Sequence, residues 1–245
     1  MNVDWRELHG SHFENSGVLV TGGAGFIGSH LCEALLTLGA RVTVLDDLSG
    51  GDPNNLQPFG TNAADRLQFV EGSILDADRI RRCTNGCRYV FHQAALGSVP
   101  ASIEKPRQYT HVNVSGTLEV LEAARAAKVE RVAYAASSSA YGDSPTLPKS
   151  ESMPSVPLSP YAASKLAGES LMAAYSASYG LDTVSLRYFN IFGARQNANS
   201  AYAAVIAAFA RAILDDRPPT IYGDGQQSRD FTHVTNAVHA NLLAA

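Results

Sequence analysis

The chain has 245 residues, 23 acidic and 19 basic, for a net charge of -4; this absence of a basic surplus argues against nucleic acid as a partner. Hydrophobic residues make up 45% and charged ones 17%, an ordinary globular balance with no apolar run long enough to span a bilayer. Three cysteines, Cys32, Cys83 and Cys87, are too few and too scattered for a disulfide framework, and no second ligand pair accompanies Cys83 and Cys87, so no metal is expected.

The first ten residues, MNVDWRELHG, form a polar leader without an apolar signal core, which leads to the expectation of a cytoplasmic protein with no membrane partner. Val18 to Thr21 read as a short buried strand. A glycine turn follows, then a helix from Ile27 to Leu38 stopped by Gly39, then a strand from Arg41 to Leu45. LQFVEGSI and CRYVFHQAA are strand-like, HVNVSGTLEVLEAARAAK is helical, and RVAYAASSS is a strand again. SPYAASKLAGESLMAAYSASYG starts with a capping serine and Pro160, runs as a helix and closes on Gly180. DTVSLRYFNIFG is a strand entering a loop, and a helix over AAVIAAFARAIL precedes a break at Pro218 and Pro219.

Near-continuous apolar strands alternating with helices predict an α/β fold with a doubly wound parallel sheet of the Rossmann type. On this reading residues 1–195, leader included, form the parallel-sheet domain, and the alternation loosens over residues 196–245.

Gly22, Gly25 and Gly28 are spaced G-x-x-G-x-x-G between the first strand and first helix, where a tight turn brings the backbone close to a pyrophosphate at the helix N-terminus. Asp46, 18 residues past Gly28 at the end of the next strand, is placed to accept the adenosine ribose hydroxyls. Its charge would oppose a 2′-phosphate, so the expected cofactor is NAD rather than NADP. Phe26 and Ile27 at the helix start, and Asp47, Ser49 and Gly50 in the following loop, are further cofactor candidates; Asp47 reads equally well as a solvated loop acid.

Tyr161 and Lys165 lie four apart on one helix, so both side chains point into the same space. A lysine charge beside a bound nicotinamide favours the phenolate and makes Tyr161 a general base. The competing reading, a buried tyrosine with an exposed lysine, is weakened by the glycine fingerprint and by the serine cluster SSSAYG at a strand end.

These stretches, VTGGAGFIGSHL, FHQAA, ASSSAYGD, SPYAASKLAGE, RYFNIFGARQ and GDGQQSRDFTHV, resemble the extended short-chain dehydrogenase/reductases, and within them the nucleotide-sugar 4-epimerases, over about residues 18–243. SSSAYGD, ALGSVPASI and NIFGARQ are most similar to UDP-N-acetylglucosamine 4-epimerases. The resemblance implies Ser137, Tyr161 and Lys165 as the catalytic group, and places Ile74, Ala94, Ala95, Asn113 and Tyr188 along the dinucleotide. It implies Asn190 and Arg229 for the UDP diphosphate, Gly97, Ser98, Ser138 and Ser139 for the sugar, and Ala204 and Val205 as further substrate contacts. Strand-end hydrogen bonding is the plainer role for at least one of Ser138 and Ser139.

The implied reaction removes hydride from C4 of a UDP-sugar, turns the 4-keto sugar over and returns hydride to its other face. The implied partners are a UDP-sugar and a second copy of the chain, paired through the helices near 113–128 and 159–179. Two departures stand out. Ser73 occupies a position where the family commonly has an aspartate contacting adenine. Family members continue past NAVHANLLAA, so the resemblance implies a dinucleotide-binding domain with the catalytic residues over 1–195 and a small, incomplete substrate-binding region over 196–245, with an incomplete lid and a broad substrate choice expected. A 4,6-dehydratase or decarboxylase of the same superfamily is the nearest rival. Dehydratases usually carry an Asp-Glu pair where this chain has Ser138 and Ser139. A truncated, non-catalytic NAD-binding protein is the other alternative.

Overall fold

Apolar segments of about five residues, separated by connections long enough to cross over through a helix, pair in parallel and are buried on both faces. The computed structural model, which describes residues 3–57, 64–197, 205–221 and 223–245, shows that arrangement. A leader helix α1 (Trp5–His9), capped by the Asp4 carboxylate, precedes β1 (Gly17–Thr21), α2 (Phe26–Thr37), β2 (Arg41–Asp46) and β3 (Leu67–Glu71). α3 (Ala77–Thr84) leads to β4 (Tyr89–His92), then to α4 (Val99–Glu104) and α5 (Pro106–Thr110). A π-turn at His111–Ser115 continues into α6 (Gly116–Ala126), followed by β5 (Arg131–Ser137), α7 (Pro160–Tyr179) and β6 (Asp182–Tyr188). The chain finishes with β7 (Asn190–Phe192), α8 (Val205–Leu214), β8 (Phe231–His233) and α9 (Val234–Ala244).

The six-stranded sheet is parallel throughout and ordered β3-β2-β1-β4-β5-β6. The order reverses between β1 and β4, and a crevice opens there at the carboxyl ends of the strands. Alternate residues of β1 feed two cores. Val18 and Val20 pack with Leu31 and Leu35 of α2 and with Val238 and Leu242 of α9. Leu19 faces the other way, into a cluster with Ile80 of α3, Leu121 of α6 and Met172 of α7. α9 thus joins the main body, whereas β7 and β8 pair with each other outside the large sheet.

Several elements differ from the sequence expectation. β3 ends at Glu71 and β4 at His92, because beyond them the backbone leaves the ladder to line the crevice. The helix expected over 111–128 begins as a π-turn, an inserted irregularity that apolar spacing cannot reveal. α3 escapes the apolar pattern, although Asp76 caps it by accepting from Arg79 N at 3.0 Å. Among the described residues no helix is long and apolar enough to cross a membrane, and no group of three or more His, Cys, Asp or Glu could hold a metal. All three cysteines are free and buried; Cys87 donates to the Cys83 carbonyl, and burial pushes its thiol up to about 11.

Candidate active site

The crevice holds a cavity of about 450 Å³ that runs from the glycine turn to the start of α7. At one end, Gly22 takes φ +70°, and a Cβ there would lie 2.6 Å from Ala94 N. A Cβ on Gly28 would meet the Gly22 carbonyl oxygen at 2.2 Å, so neither position has room for a side chain. The first turn of α2 receives no side-chain cap, which leaves its amides and the positive end of its dipole for an anion. Gly25, Phe26 and Ile27 line the cavity at this point.

Asp46 closes the floor of this end. It is buried, with Oδ2 accepting from Ala24 N and Oδ1 from Leu48 N, both at 2.9 Å. Burial raises its pKa, while the hydrogen bonds from Leu48 and Ala24 oppose the rise. Asp47 is exposed and folds back on its own loop, accepting from Ser49 N and Ser49 Oγ at 3.0 and 2.6 Å. Asp47, Ser49 and Gly50 nevertheless line the cavity rim.

The walls are apolar: Ile74 from the β3–α3 loop, and Ala94 and Ala95 after β4. Ser73 is not part of this lining, and its hydroxyl accepts from Leu75 N within its own turn. Asn113 is not part of it either. It lies fully buried behind the wall and bonds the Leu96 backbone through both ends of its amide.

At the other end, β5 and β6 pair so that Ser137 stands opposite Tyr188. Ser159 caps α7 by accepting from Ala162 N at 3.1 Å, Pro160 fills the first turn, and Gly180 ends the helix at φ +68°. α7 thereby projects Tyr161 and Lys165 into the cavity beside Ser137. The Ser137 oxygen accepts from Ser139 N at 3.2 Å and from Ser139 Oγ at 2.8 Å, so its own hydrogen is available to the Tyr161 oxygen. Burial raises the Tyr161 pKa, and that Ser137 hydrogen bond pulls it back down. Lys165 is buried, and desolvation lowers its pKa to about 7 against the opposing charge of Glu169 one turn later. Its Nζ lies 4.3 Å from the centre of the Tyr134 ring, a cation–π contact.

Two residues the sequence did not single out, Gln93 and Asn241, lock the wall between these ends. Tyr188 Oη donates to Gln93 Oε1 at 3.1 Å and accepts from Asn241 Nδ2, and Gln93 Nε2 donates to Asn241 Oδ1 at 3.0 Å. Gln93 lies within FHQAA, but Asn241 is 148 residues away with no local signal.

The sugar-side candidates are more dispersed. Gly97 lines the cavity with open space around it. Ser98 caps α4, and Ser138 and Ser139 open the 3-10 turn after β5. Asn190 is exposed and donates to the Asp230 carbonyl, holding β7 to the segment before β8. Arg229 is exposed and donates to Ser228 O. Val205 begins α8 and is exposed, while Ala204 lies outside the described residues.

The family model for the NAD dependent epimerase/dehydratase family matches residues 18–245. The chain belongs to this family. Among its relatives, a UDP-glucose 4-epimerase of Mycolicibacterium smegmatis is 42% identical over 92% of this chain and 72% of its own. A solved UDP-N-acetylglucosamine 4-epimerase from Methanobrevibacter ruminantium, in complex with UDP-N-acetylmuramic acid, is 43% identical with a TM-score of 0.90, covering 94% of this chain and 73% of that one. The UDP-glucose 4-epimerase of Thermus thermophilus, solved with NAD, is 39% identical at a TM-score of 0.84, covering 93% and 74%. The cavity fits the family's dinucleotide on its own evidence: a cradle that any Cβ would fill, an uncapped helix end and a carboxylate at the end of β2.

Proposed function

We propose that the protein is an NAD-dependent UDP-sugar 4-epimerase, an isomerase that interconverts the C4 configuration of UDP-hexoses. The observation that carries this reading is the placement of Ser137, Tyr161 and Lys165 together at the far end of a dinucleotide cavity. NAD, when bound, supplies the hydride acceptor and returns the hydride. Gly22, Gly25 and the α2 amides would hold its pyrophosphate, and Asp46 its adenosine ribose.

The chain's own residues carry the proton. Tyr161 Oη takes it from the sugar's 4-hydroxyl, with Lys165 stabilising the phenolate and Ser137, oriented by Ser139, hydrogen-bonding the same oxygen. The exposed Asn190 and Arg229 are the proposed diphosphate contacts, the guanidinium fork being suited to phosphate. Gly97, Ser98, Ser138, Val205 and Ala204 are assigned to the sugar side.

Elimination by a dehydratase is disfavoured, because it needs an acid at the reacting carbon. Among the described lining residues the carboxylates are Asp46 and Asp47, both at the adenosine end. Incubating the purified protein with UDP-glucose or UDP-N-acetylglucosamine and separating the products by chromatography tests the proposal; the 4-epimer supports it, and a 4-keto-6-deoxy product or no product refutes it.

A homodimer and a cytoplasmic location belong to the same proposal. Leu118 of α6 and Tyr179 of α7 are exposed at 38% and 57%, an apolar surface suited to symmetric pairing. The reduced, buried cysteines accord with a reducing compartment. Light scattering that finds only monomer at micromolar concentration would remove the dimer.

A further inference from the structure

We propose that Tyr109 is a positioning residue that, with Asn113, holds the Leu96–Ser98 backbone in register with Tyr161 and so sets the sugar-side wall. This rests on the epimerase reading for its catalytic consequence, but its geometry stands apart from it. At Gly97 the segment between β4 and α4 meets open space: a Cβ there would meet nothing within 4 Å. Two buried side chains hold its polar backbone instead. Ser98 N donates to Tyr109 Oη at 3.1 Å, Leu96 N donates to Asn113 Oδ1 at 2.8 Å, and Leu96 O accepts from Asn113 Nδ2 at 3.1 Å.

Both side chains lead onward to Tyr161 by separate routes. Asn113 Nδ2 also donates to Ser164 Oγ at 2.9 Å, and Ser164 Oγ donates to the Tyr161 carbonyl at 2.8 Å. The Tyr109 ring meets the Tyr161 ring edge-on, with centroids 6.5 Å apart and planes at 85°. Asn113 sits inside the π-turn, an irregularity that recurs at functional sites. Tyr109 and Asn113 are 4% and 1% exposed, so neither has water as an alternative partner. The loop and the base are thus fixed to each other from the ring side and the backbone side. A small misplacement of the reacting oxygen relative to Tyr161 is costly.

Tyr109→Phe keeps the ring and removes the acceptor for Ser98 N. In the NAD-loaded protein, kcat on UDP-glucose should fall about five- to tenfold, the scale of one lost net hydrogen bond plus misalignment. NAD affinity should stay close to wild type, the melting midpoint should fall by only about 2–4 °C, and amide exchange should speed up at Ser98 but not along α7. Asn113→Asp, which keeps the acceptor for Leu96 N and loses the donor to Leu96 O and Ser164, should lower kcat in the same way and speed exchange at Ser164's neighbours. Unchanged kcat and unchanged Ser98 exchange in Tyr109→Phe would overturn the proposal. So would a loss of kcat matched by an equal loss of NAD affinity and a larger fall in melting midpoint, which marks a merely structural role. If the wild-type protein converts no UDP-sugar, the epimerase reading fails and the Ser98 exchange measurement alone decides whether Tyr109 holds the loop.

Discussion

Lys165 Nζ rests 4.3 Å from the centre of the Tyr134 ring, buried on the helix that carries Tyr161 four residues before it and Glu169 four residues after it. Burial drives its pKa down to about 7, and Glu169 opposes that. In the proposed mechanism an ionised Tyr161 would add a second opposing charge and couple its own titration to that of the lysine. Lys165→Met removes the cation and should shift the rising limb of the rate–pH profile upward by about 1–3 units, the range for loss of a close opposite charge. A steady-state rate series from about pH 6 to 10 spans the ordinary range of both groups and checks this. An unmoved limb would place the ammonium outside the reaction.

The cofactor end gives a second expectation. Asp46 accepts two backbone amides and closes the floor of the cavity at the glycine turn, so on the proposed ribose role wild-type protein should bind NAD far more tightly than NADP. Asp46→Ala should weaken both and narrow the gap between them. Fluorescence-quenching titration with each nucleotide measures it; equal wild-type affinities would contradict the role given to Asp46.

Helix packing behind the site gives a third. A Cβ on Gly168 would lie 2.2 Å from Tyr134 Oη, so α7 approaches β5 this closely only because position 168 is glycine. Gly168→Ala forces the ring or the helix to move, at a cost of about 1–3 kcal/mol, the usual range for overpacking. Denaturant unfolding gives the stability loss, and the displaced α7 should lower activity as well. An Ala variant with unchanged stability would show that the helix yields without penalty.

The buried His92 makes stability depend on acid. It is held between Thr21 Oγ1 at 2.8 Å and Thr117 Oγ1 at 2.9 Å, and desolvation, then Lys165, lowers its pKa to about 3. The unfolded chain binds the proton near 6.5 and the folded one near 3, so stability is unaffected above 6.5 and falls as pH drops through that window. The slope from this group is about 1.4 kcal/mol per pH unit. Lys165 is also depressed, but its contribution changes between 10.5 and about 7 and is constant across the acid window. His9 and His30 are also lowered by burial and act in the same window. The fall in unfolding midpoint from about pH 7 to 5 and 4 should therefore be smaller in His92→Asn than in wild type, without vanishing. Identical pH slopes in both proteins would contradict the assignment.

The parts of this molecule legible in its sequence are those whose cause is local. The glycine turn, the Asp46 position and the Tyr161–Lys165 spacing each depend on neighbours within a strand or a helical turn, and the structure brings these residues to one cavity. Asn113 is expected along the dinucleotide; its bonds to Leu96, 17 residues upstream, and Ser164, 51 downstream, have no local signal. Gln93, Tyr188 and Asn241 form a closed set only when three distant segments meet, which no periodicity encodes. The three serines illustrate the limit within one stretch: the sequence places them at a strand end, but only the geometry shows Ser139 donating to Ser137.

The most direct test of the central claim is the conversion of UDP-glucose and UDP-N-acetylglucosamine by wild-type protein and by Tyr161→Phe, with products separated by chromatography and NAD binding measured in parallel. The wild type should form the 4-epimers. Tyr161→Phe should bind NAD normally and turn over at least about 10²-fold more slowly, the lower end of what a general base contributes. Near-normal turnover without the phenol, or a wild type that forms no 4-epimer while holding NAD, would contradict the account.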